Sequence, residues 1–455
     1  MVIDEKEILS LLEDRKEPDR EELLRILEEA DSLKGLRAQQ VIRLLHVKKP
    51  EHLRLIYERA DRVKRKVFGD RVVLFAPLYL SNYCVNSCRY CGFRSANKEL
   101  PRKRLTEKEI VAEAKTLEAM GFKRLLLVVG EDPLAGVDYL VRAIRAIYRE
   151  TGIRIVHLNA PPMEVEALRE LKRAGYGVFQ VFQETYHRPT YEEMHPQGPK
   201  KDYLWRITVM DRALEAGFED VGIGALLGLY DYRFDVLATI MHSNHLYRAY
   251  GTHAHTISIP RMRPAKGAAI TPDRLRQYSV TDEELKKITA LYRLSVPTAG
   301  VVVSTREGAS LRRELLRVGA SQMSAASRTD PGGYRHRQKT LEQFSTDDKR
   351  GLLEVMLDVI EEGRLPSLCA TCYRVGRTGS KFTSITSRGL MKGFCQANAI
   401  ITLKEYMLEA ELDGLKGAFH KAIEKALEDI KDEKTRKYVI EKIRELEEGR
   451  RDLYL

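Results

Sequence analysis

No cysteine in this 455-residue chain stands outside two short groups, Cys84, Cys88 and Cys91 (C-x3-C-x2-C) and Cys369, Cys372 and Cys395 (C-x2-C-x22-C). No run of about 18 apolar residues is present, so no membrane-spanning helix is expected. The opening MVIDEKEILSLLEDRKE is acidic and lacks the apolar stretch of a secretory signal. A cytoplasmic chain with reduced cysteines is therefore expected, which sets aside a framework of disulfides. A basic run with regular aromatic interleaving is also missing. The formal net charge of +11 is spread among acids, as in RKRLTEKEIVAEAK. That pattern favours a mixed solvated surface, suited to an acidic redox partner, over nucleic-acid binding. Asn is scarce while Glu, Lys and Arg are abundant, a balance found in heat-adapted proteins. Internal repeats and low-complexity segments are absent as well.

What is present is a strand–helix alternation flanked by helices. Residues 1–70 show apolar residues at helical spacing, in ILSLLEDRKEPDREELLRILEEA and EHLRLIYERADRVKRKVF. From Val72 the apolar runs shorten and alternate with helical stretches, ending near Leu80, Val129, Leu158, Phe182, Ile223, Ile259, Val303 and Ser324. Two of the intervening helices open with a T-x-x-E capping box, Thr106 with Glu109 and Thr281 with Glu284. Eight strand–helix units predict parallel strands, because a crossover helix returns the chain to the same end. The economical closure is an α/β fold, a (β/α)8 TIM barrel over about residues 71–345, with a doubly wound open sheet as the alternative. Residues 346–455 then form a C-terminal unit. It comprises the helix DDKRGLLEVMLDVIEEG ending at Gly363, a Gly/Arg/Ser-rich loop with the second cysteine group, and from about Asn398 an amphipathic helical outer layer.

Each cysteine group offers three thiolates, one fewer than a closed structural zinc site. No further Cys, and no His, lies between Ser81 and Lys98 to complete the first. Three thiolates suit a [4Fe–4S] cluster with one iron left open for chemistry. Cys84, Cys88 and Cys91 follow the first strand, VVLFAPLYL, and so fall on the catalytic face of a barrel. For the second trio a zinc knuckle remains the alternative. Further elements sit at strand ends: Gly130-Glu131 after the second, Gln183-Glu184 after the fourth, and Gly222-Ile223-Gly224 at the fifth. The last of these is spaced wrongly for a G-x-G-x-x-G phosphate loop.

The first trio, with aromatic Tyr90 before its last cysteine, resembles the radical S-adenosylmethionine superfamily. That resemblance implies a cluster whose open iron chelates the methionine moiety of the cofactor. Tyr90, Gly130, Glu131, Gln183, Gly222 and Gly224 would then form its binding site. The strings LSNYCVNSCRYCGFRS, FQETYHRPTYEEMHP, VGIGALLGLYDYR and Ser324–Tyr334, together with the second trio, are similar to the HydG-type tyrosine lyases that mature [FeFe]-hydrogenase. The related ThiH-type 2-iminoacetate synthases of thiamine biosynthesis share the barrel motifs but lack the second trio. The resemblance implies cleavage of the Cα–Cβ bond of L-tyrosine to p-cresol and dehydroglycine. It further implies conversion of the latter to carbon monoxide and cyanide at a second [4Fe–4S] cluster carrying an additional iron. Free cysteine would bridge that iron, and His255, directly before Thr-Ile-Ser, would bind it, with His253 as a substitute two residues earlier on the same strand face. Arg306 and Arg328 are candidates for the tyrosine carboxylate, Glu184 for the adenosyl ribose or for orienting an arginine, and Tyr186 and His187 for the phenol proton. Implied partners are a low-potential donor such as ferredoxin or flavodoxin and a hydrogenase maturation scaffold. The rival readings are tyrosine cleavage for thiamine synthesis alone and a non-catalytic iron–sulfur scaffold.

Overall fold

In the computed structural model, which describes residues 2–336 and 342–455, the strand–helix alternation closes on itself. Parallel strands β1 (Arg71–Ser81), β2 (Arg124–Val129), β3 (Ile155–Asn159), β4 (Val178–Gln180), β5 (Asp220–Gly224), β6 (Thr256–Ser258), β7 (Gly300–Val303) and β8 (Gln322–Ser324) pair in chain order. β1 pairs with both β2 and β8, so the sheet is a closed (β/α)8 barrel and the open doubly wound alternative falls away. Both capping boxes form: Thr106 and Thr281 accept the backbone N–H of Glu109 and Glu284, whose carboxylates return to the threonine N–H groups. They start the helices Glu107–Ala119 and Asp282–Ser295.

One strand lies beyond the eight. β9 (Leu365–Ser367) pairs in parallel with Arg71–Val73 of β1. Val73 pairs with Gln322 on one edge and Ser367 on the other. β9 therefore occupies the β2-side edge of β1, below the point where β2 begins to pair at Ala76. The long first strand thus runs from one mouth of the barrel to the other, and β9 delivers the chain that follows it to the N-terminal mouth.

The segment after β9 differs from the expected loop and outer layer. Cys372 sits in a short helix, Thr371–Arg374, and Cys395 in the helix Met391–Glu409. The latter is buried along nearly its whole length, with Met391, Ala397, Ile400, Ile401, Leu403 and Met407 facing several directions. It packs on β9, β1 and the helix Pro50–Phe68, while Lys416–Glu428 and Glu433–Glu447 supply the charged outer layer. Among the described residues, no helix is long and apolar enough to cross a membrane.

Candidate active site and second metal centre

The C-terminal mouth of the barrel opens into a cavity walled by Cys84, Cys88, Cys91, Tyr90, Gly130 and Glu131. Its position follows from backbone hydrogen bonds between the cysteine loop and the turn after β2. Gly130 N–H donates to Ser81 O at 3.1 Å and Val85 N–H to Glu131 O at 3.0 Å. The two segments run so close that a Cβ at Gly130 would fall 2.3 Å from the Tyr83 carbonyl oxygen, so no other residue fits there. Asp132 anchors the turn, taking Ser81 Oγ at 2.6 Å and both Arg104 Nε and Nη2.

Two amides point at the sulfurs. Asn86 Nδ2 lies 3.6 Å from Cys84 Sγ, and Gln343 Nε2 lies 3.6 Å from Cys91 Sγ, Gln343 being held by the Tyr79 hydroxyl at 2.9 Å. Burial pushes the Cys88 thiol up to about 12 and raises Cys91 as well. Thiols in this setting keep their protons until a metal displaces them. Among the described residues, no three Cys, His, Asp or Glu side chains converge as one bound ion requires. The trio instead lines the wall of a cavity, which fits a cluster that gives each thiolate its own iron.

Glu184 reaches the same cavity from a left-handed backbone conformation (φ 71°). Its Oε1 accepts Lys200 Nζ at 2.6 Å and Arg206 Nη2 at 3.4 Å. Burial raises its pKa, but Lys200 and Arg206 outweigh burial and hold it below the usual carboxylate range. Arg306 lines the cavity with its guanidinium 3.4 Å from the Phe344 ring centroid and Nη1 on the Arg261 carbonyl at 3.3 Å. Tyr90 is fixed through its hydroxyl, 2.8 Å from His195 Nε2.

Other expected residues lie elsewhere. Arg328 does not reach the cavity wall, although its neighbours Ser327 and Thr329 do; its Nη1 turns back to the Ser327 carbonyl. Tyr186 is fully buried against His242, and His187 stacks on Tyr230 at 3.8 Å and bonds Thr190. Neither faces the cavity, so their candidacy for the phenol proton is withdrawn. Gln183 is buried beside β5, its N–H on the Gly224 carbonyl. Gly222 and Gly224 belong to the barrel wall. A Cβ at Gly222 would meet Gln180 Cγ at 2.5 Å, and one at Gly224 the Ser258 carbonyl at 2.7 Å. Lys200, Arg206, Asn86 and Gln343 were not singled out from sequence. Only Asn86, inside the cysteine motif, carried a local signal.

The N-terminal mouth holds a second cavity, lined by Cys369, Cys372, Cys395, His255, Arg71 and Arg124. Burial raises the Cys372 thiol far above its ordinary value. Burial also works against the Arg71 guanidinium, but proximity to Cys395, Cys369 and Cys372 outweighs it and holds that group above its ordinary value. His255 Nδ1 lies 3.2 Å from Asp220 Oδ1, and its Nε2 is 3.0 Å from the Tyr373 hydroxyl. His253 is elsewhere, stacked on Tyr247 at 4.4 Å with Nδ1 near Ser243. Both histidines precede β6, so the two-residue strand period does not relate them. A carboxylate behind one imidazole nitrogen is the usual support of a metal-binding histidine. Asp220, the polar residue that opens an apolar strand, was a readable signal for it.

Between the two mouths lies a third cavity, within the barrel lumen. It shares Phe75, Leu126, Gln180 and Val302 with the upper cavity and Arg124, Gln322 and Tyr373 with the lower. The three are therefore contiguous through side chains of the barrel interior.

Comparison with known proteins sets this geometry in context. Residues 78–241 match the model of the radical SAM superfamily, and residues 258–364 match the biotin and thiamin synthesis associated domain. The 2-iminoacetate synthase of Escherichia coli (strain K12) is 35% identical over 345 residues, 74% of this chain and 89% of that protein. A crystal structure of HydG, a maturase of the [FeFe]-hydrogenase, is similar with 43% identity and a TM-score of 0.95, each chain covered fully. The HydG structure from Carboxydothermus hydrogenoformans is similar with 36% identity and a TM-score of 0.84, covering 97% of this chain and 100% of that one.

Proposed function

Since this chain belongs to the radical SAM family that includes HydG and 2-iminoacetate synthase, we propose that it cleaves L-tyrosine to p-cresol and dehydroglycine at the upper mouth. We further propose that the fragment becomes carbon monoxide and cyanide at the lower mouth, in an iron unit destined for the [FeFe]-hydrogenase. The observation that carries this reading is the pair of cysteine trios at opposite ends of one barrel, with a lumenal cavity between them that shares lining residues with both. The HydG likeness spans the second trio, whereas the 2-iminoacetate synthase match covers 74% of the chain. Carbon monoxide and cyanide released together with p-cresol, after anaerobic reconstitution and turnover with tyrosine, test the proposal. p-Cresol alone returns the chain to the thiamine-type reaction.

The chain's residues divide the work. Cys84, Cys88 and Cys91 hold the first cluster, which together with bound S-adenosylmethionine supplies the 5′-deoxyadenosyl radical. Gly130 and Glu131 present a carbonyl and a carboxylate beside the cysteine loop, suited to the methionine ammonium. Glu184 commits Oε1 to Lys200 and Arg206, leaving Oε2 to accept a ribose hydroxyl. Arg306 has no carboxylate partner among the described residues and faces the cavity, so it is the guanidinium placed to grip the substrate carboxylate. Losing a charge-assisted contact of this kind costs about 1.5–3 kcal/mol. Arg306→Ala is expected to raise the tyrosine KM roughly 10- to 100-fold, with the iron content of the protein unchanged. An unaltered KM removes the assignment.

At the lower mouth, Cys369, Cys372 and Cys395 would hold the second cluster, and an additional iron there, with free cysteine, would supply the site for the diatomic ligands. His255 would offer Nε2 to that iron, with Asp220 Oδ1 3.2 Å from its Nδ1 on the far side of the ring. The Tyr373 hydroxyl, 3.0 Å from Nε2, would have to yield that nitrogen to the iron. His255→Ala should abolish the paramagnetic signal of the additional iron while p-cresol formation continues. A retained signal rules His255 out as its ligand. A low-potential ferredoxin or flavodoxin fits as the reductant, and the maturation scaffold as the receiver of the product.

A further inference from the structure

The lower mouth carries positive charge that the protein itself leaves unbalanced. Arg71 opens β1 and Arg124 opens β2, neighbouring strands whose first residues face the second cavity. They are 8% and 6% exposed. The Arg71 guanidinium lies 4.5 Å from the Phe68 ring centroid, and its Nη1 has no hydrogen-bond partner. Arg124 donates from Nη2 to the Cys369 carbonyl at 3.0 Å, leaving Nε unpartnered, and its guanidinium lies 5.4 Å from the Tyr373 ring centroid. Neither forms an ion pair with a carboxylate among the described residues. The nearby acids are turned elsewhere: Asp70 pairs with Arg65 and Arg364, and Asp220 accepts the Gly379 N–H at 3.0 Å and faces His255. A third cation, Arg377, is turned to the Leu455 carbonyl and the Phe394 ring.

Burying a charge without a partner is costly, and a protein retains such a group where something else supplies the counter-charge. We propose that Arg71 and Arg124 are the resident counter-charges of an anionic iron–sulfur centre on Cys369, Cys372 and Cys395, and that they favour its reduced form. The inference rests on the reading that this trio holds a [4Fe–4S] cluster. Three thiolates around a core of two positive charges leave one net negative charge when oxidised and two after one-electron reduction. Two guanidiniums match the reduced state. In this buried setting the Coulomb effect is large, and N–H groups directed at cluster sulfur raise its potential. Arg71 and Arg124 act through the cluster and are positioning residues, not catalytic ones.

The test uses the full-length chain with Cys84, Cys88 and Cys91 replaced by Ala, so that only the second centre remains. It is loaded anaerobically with iron and sulfide and titrated redox-potentiometrically by electron paramagnetic resonance. Arg71→Gln and Arg124→Gln should each lower the reduced-to-oxidised ratio at a given potential at least tenfold, a negative midpoint shift of about 59 mV for one electron. Arg71→Lys and Arg124→Lys should recover at least half of that. Glutamine variants that load the same iron with an unmoved or more positive midpoint overturn the proposal. If the glutamine variants fail to load iron while the lysine variants load it, charge is the requirement and the proposal stands. If neither pair loads iron, the arginines serve shape and the proposal fails. A parent variant that binds no cluster overturns the underlying reading of the trio instead, an outcome separate from all of these.

Discussion

Replacement of Cys84, Cys88 and Cys91 by Ala will reduce p-cresol and 5′-deoxyadenosine to background while a reducible iron–sulfur centre remains on the protein. The reciprocal variant, with Cys369, Cys372 and Cys395 replaced by Ala, will retain most p-cresol formation and produce no cyanide-ligated iron. The expectation follows from the separation of the two trios. The first is bonded to the turn after β2 at one mouth through Gly130 and Glu131. The second is delivered by β9 and the helix Met391–Glu409 at the other. No cysteine is shared between the cavities, so each variant removes one set of thiolates and leaves the other wall intact. Iron analysis together with product analysis reads both halves. If the first variant still cleaves S-adenosylmethionine, or the second loses p-cresol and cyanide in parallel, the division of labour between the mouths is wrong.

The barrel was readable because its signals are local. The shift from helical spacing to short apolar runs, the two threonine capping boxes and the cysteine spacings each lie within a few residues, and they lead to a closed (β/α)8 barrel. What escaped the sequence depends on partners distant along the chain. Arg71 and Arg124 look like ordinary strand-opening arginines until β9 brings Cys369 beneath β2. Tyr373 gains meaning only when folding sets its hydroxyl against His255, 118 positions away. The pair His253 and His255 was ambiguous because strand periodicity was extended to residues that precede β6. Arg328 was read as a barrel-mouth residue from its place after β8, but the chain there turns its guanidinium back on the Ser327 carbonyl. The tail was read from its charged final helices, which hid the buried helix before them.

The lumen is where sequence and chemistry meet least obviously, because the interior of a (β/α)8 barrel is ordinarily filled by layers of branched apolar side chains. Here amide and hydroxyl groups take several of those places. Gln180 Nε2 donates to Thr256 Oγ1 at 3.3 Å, over Gly222, where a Cβ would collide with both. Gln322 and Arg124 continue the polar wall toward the lower cavity. On the proposed function, such a lumen would suit a small polar fragment, and dehydroglycine kept from bulk water there would be spared hydrolysis to glyoxylate and ammonia. Val302 lines both the upper and the lumenal cavity without contributing a polar contact. Val302→Phe should therefore obstruct passage at an overpacking cost of about 1–3 kcal/mol. Because Val302 stands at the floor of the upper cavity and away from its cysteines, Glu184 keeps its partners, and the expected result is carbon monoxide and cyanide falling at least about tenfold relative to p-cresol. In their place, glyoxylate should accumulate in the medium in proportion to p-cresol, because the fragment now escapes through the upper mouth. A Val302→Ala variant should restore the parent ratio. Undiminished carbon monoxide in the phenylalanine variant, at full p-cresol turnover, would show that the fragment reaches the second centre by some path other than the lumen.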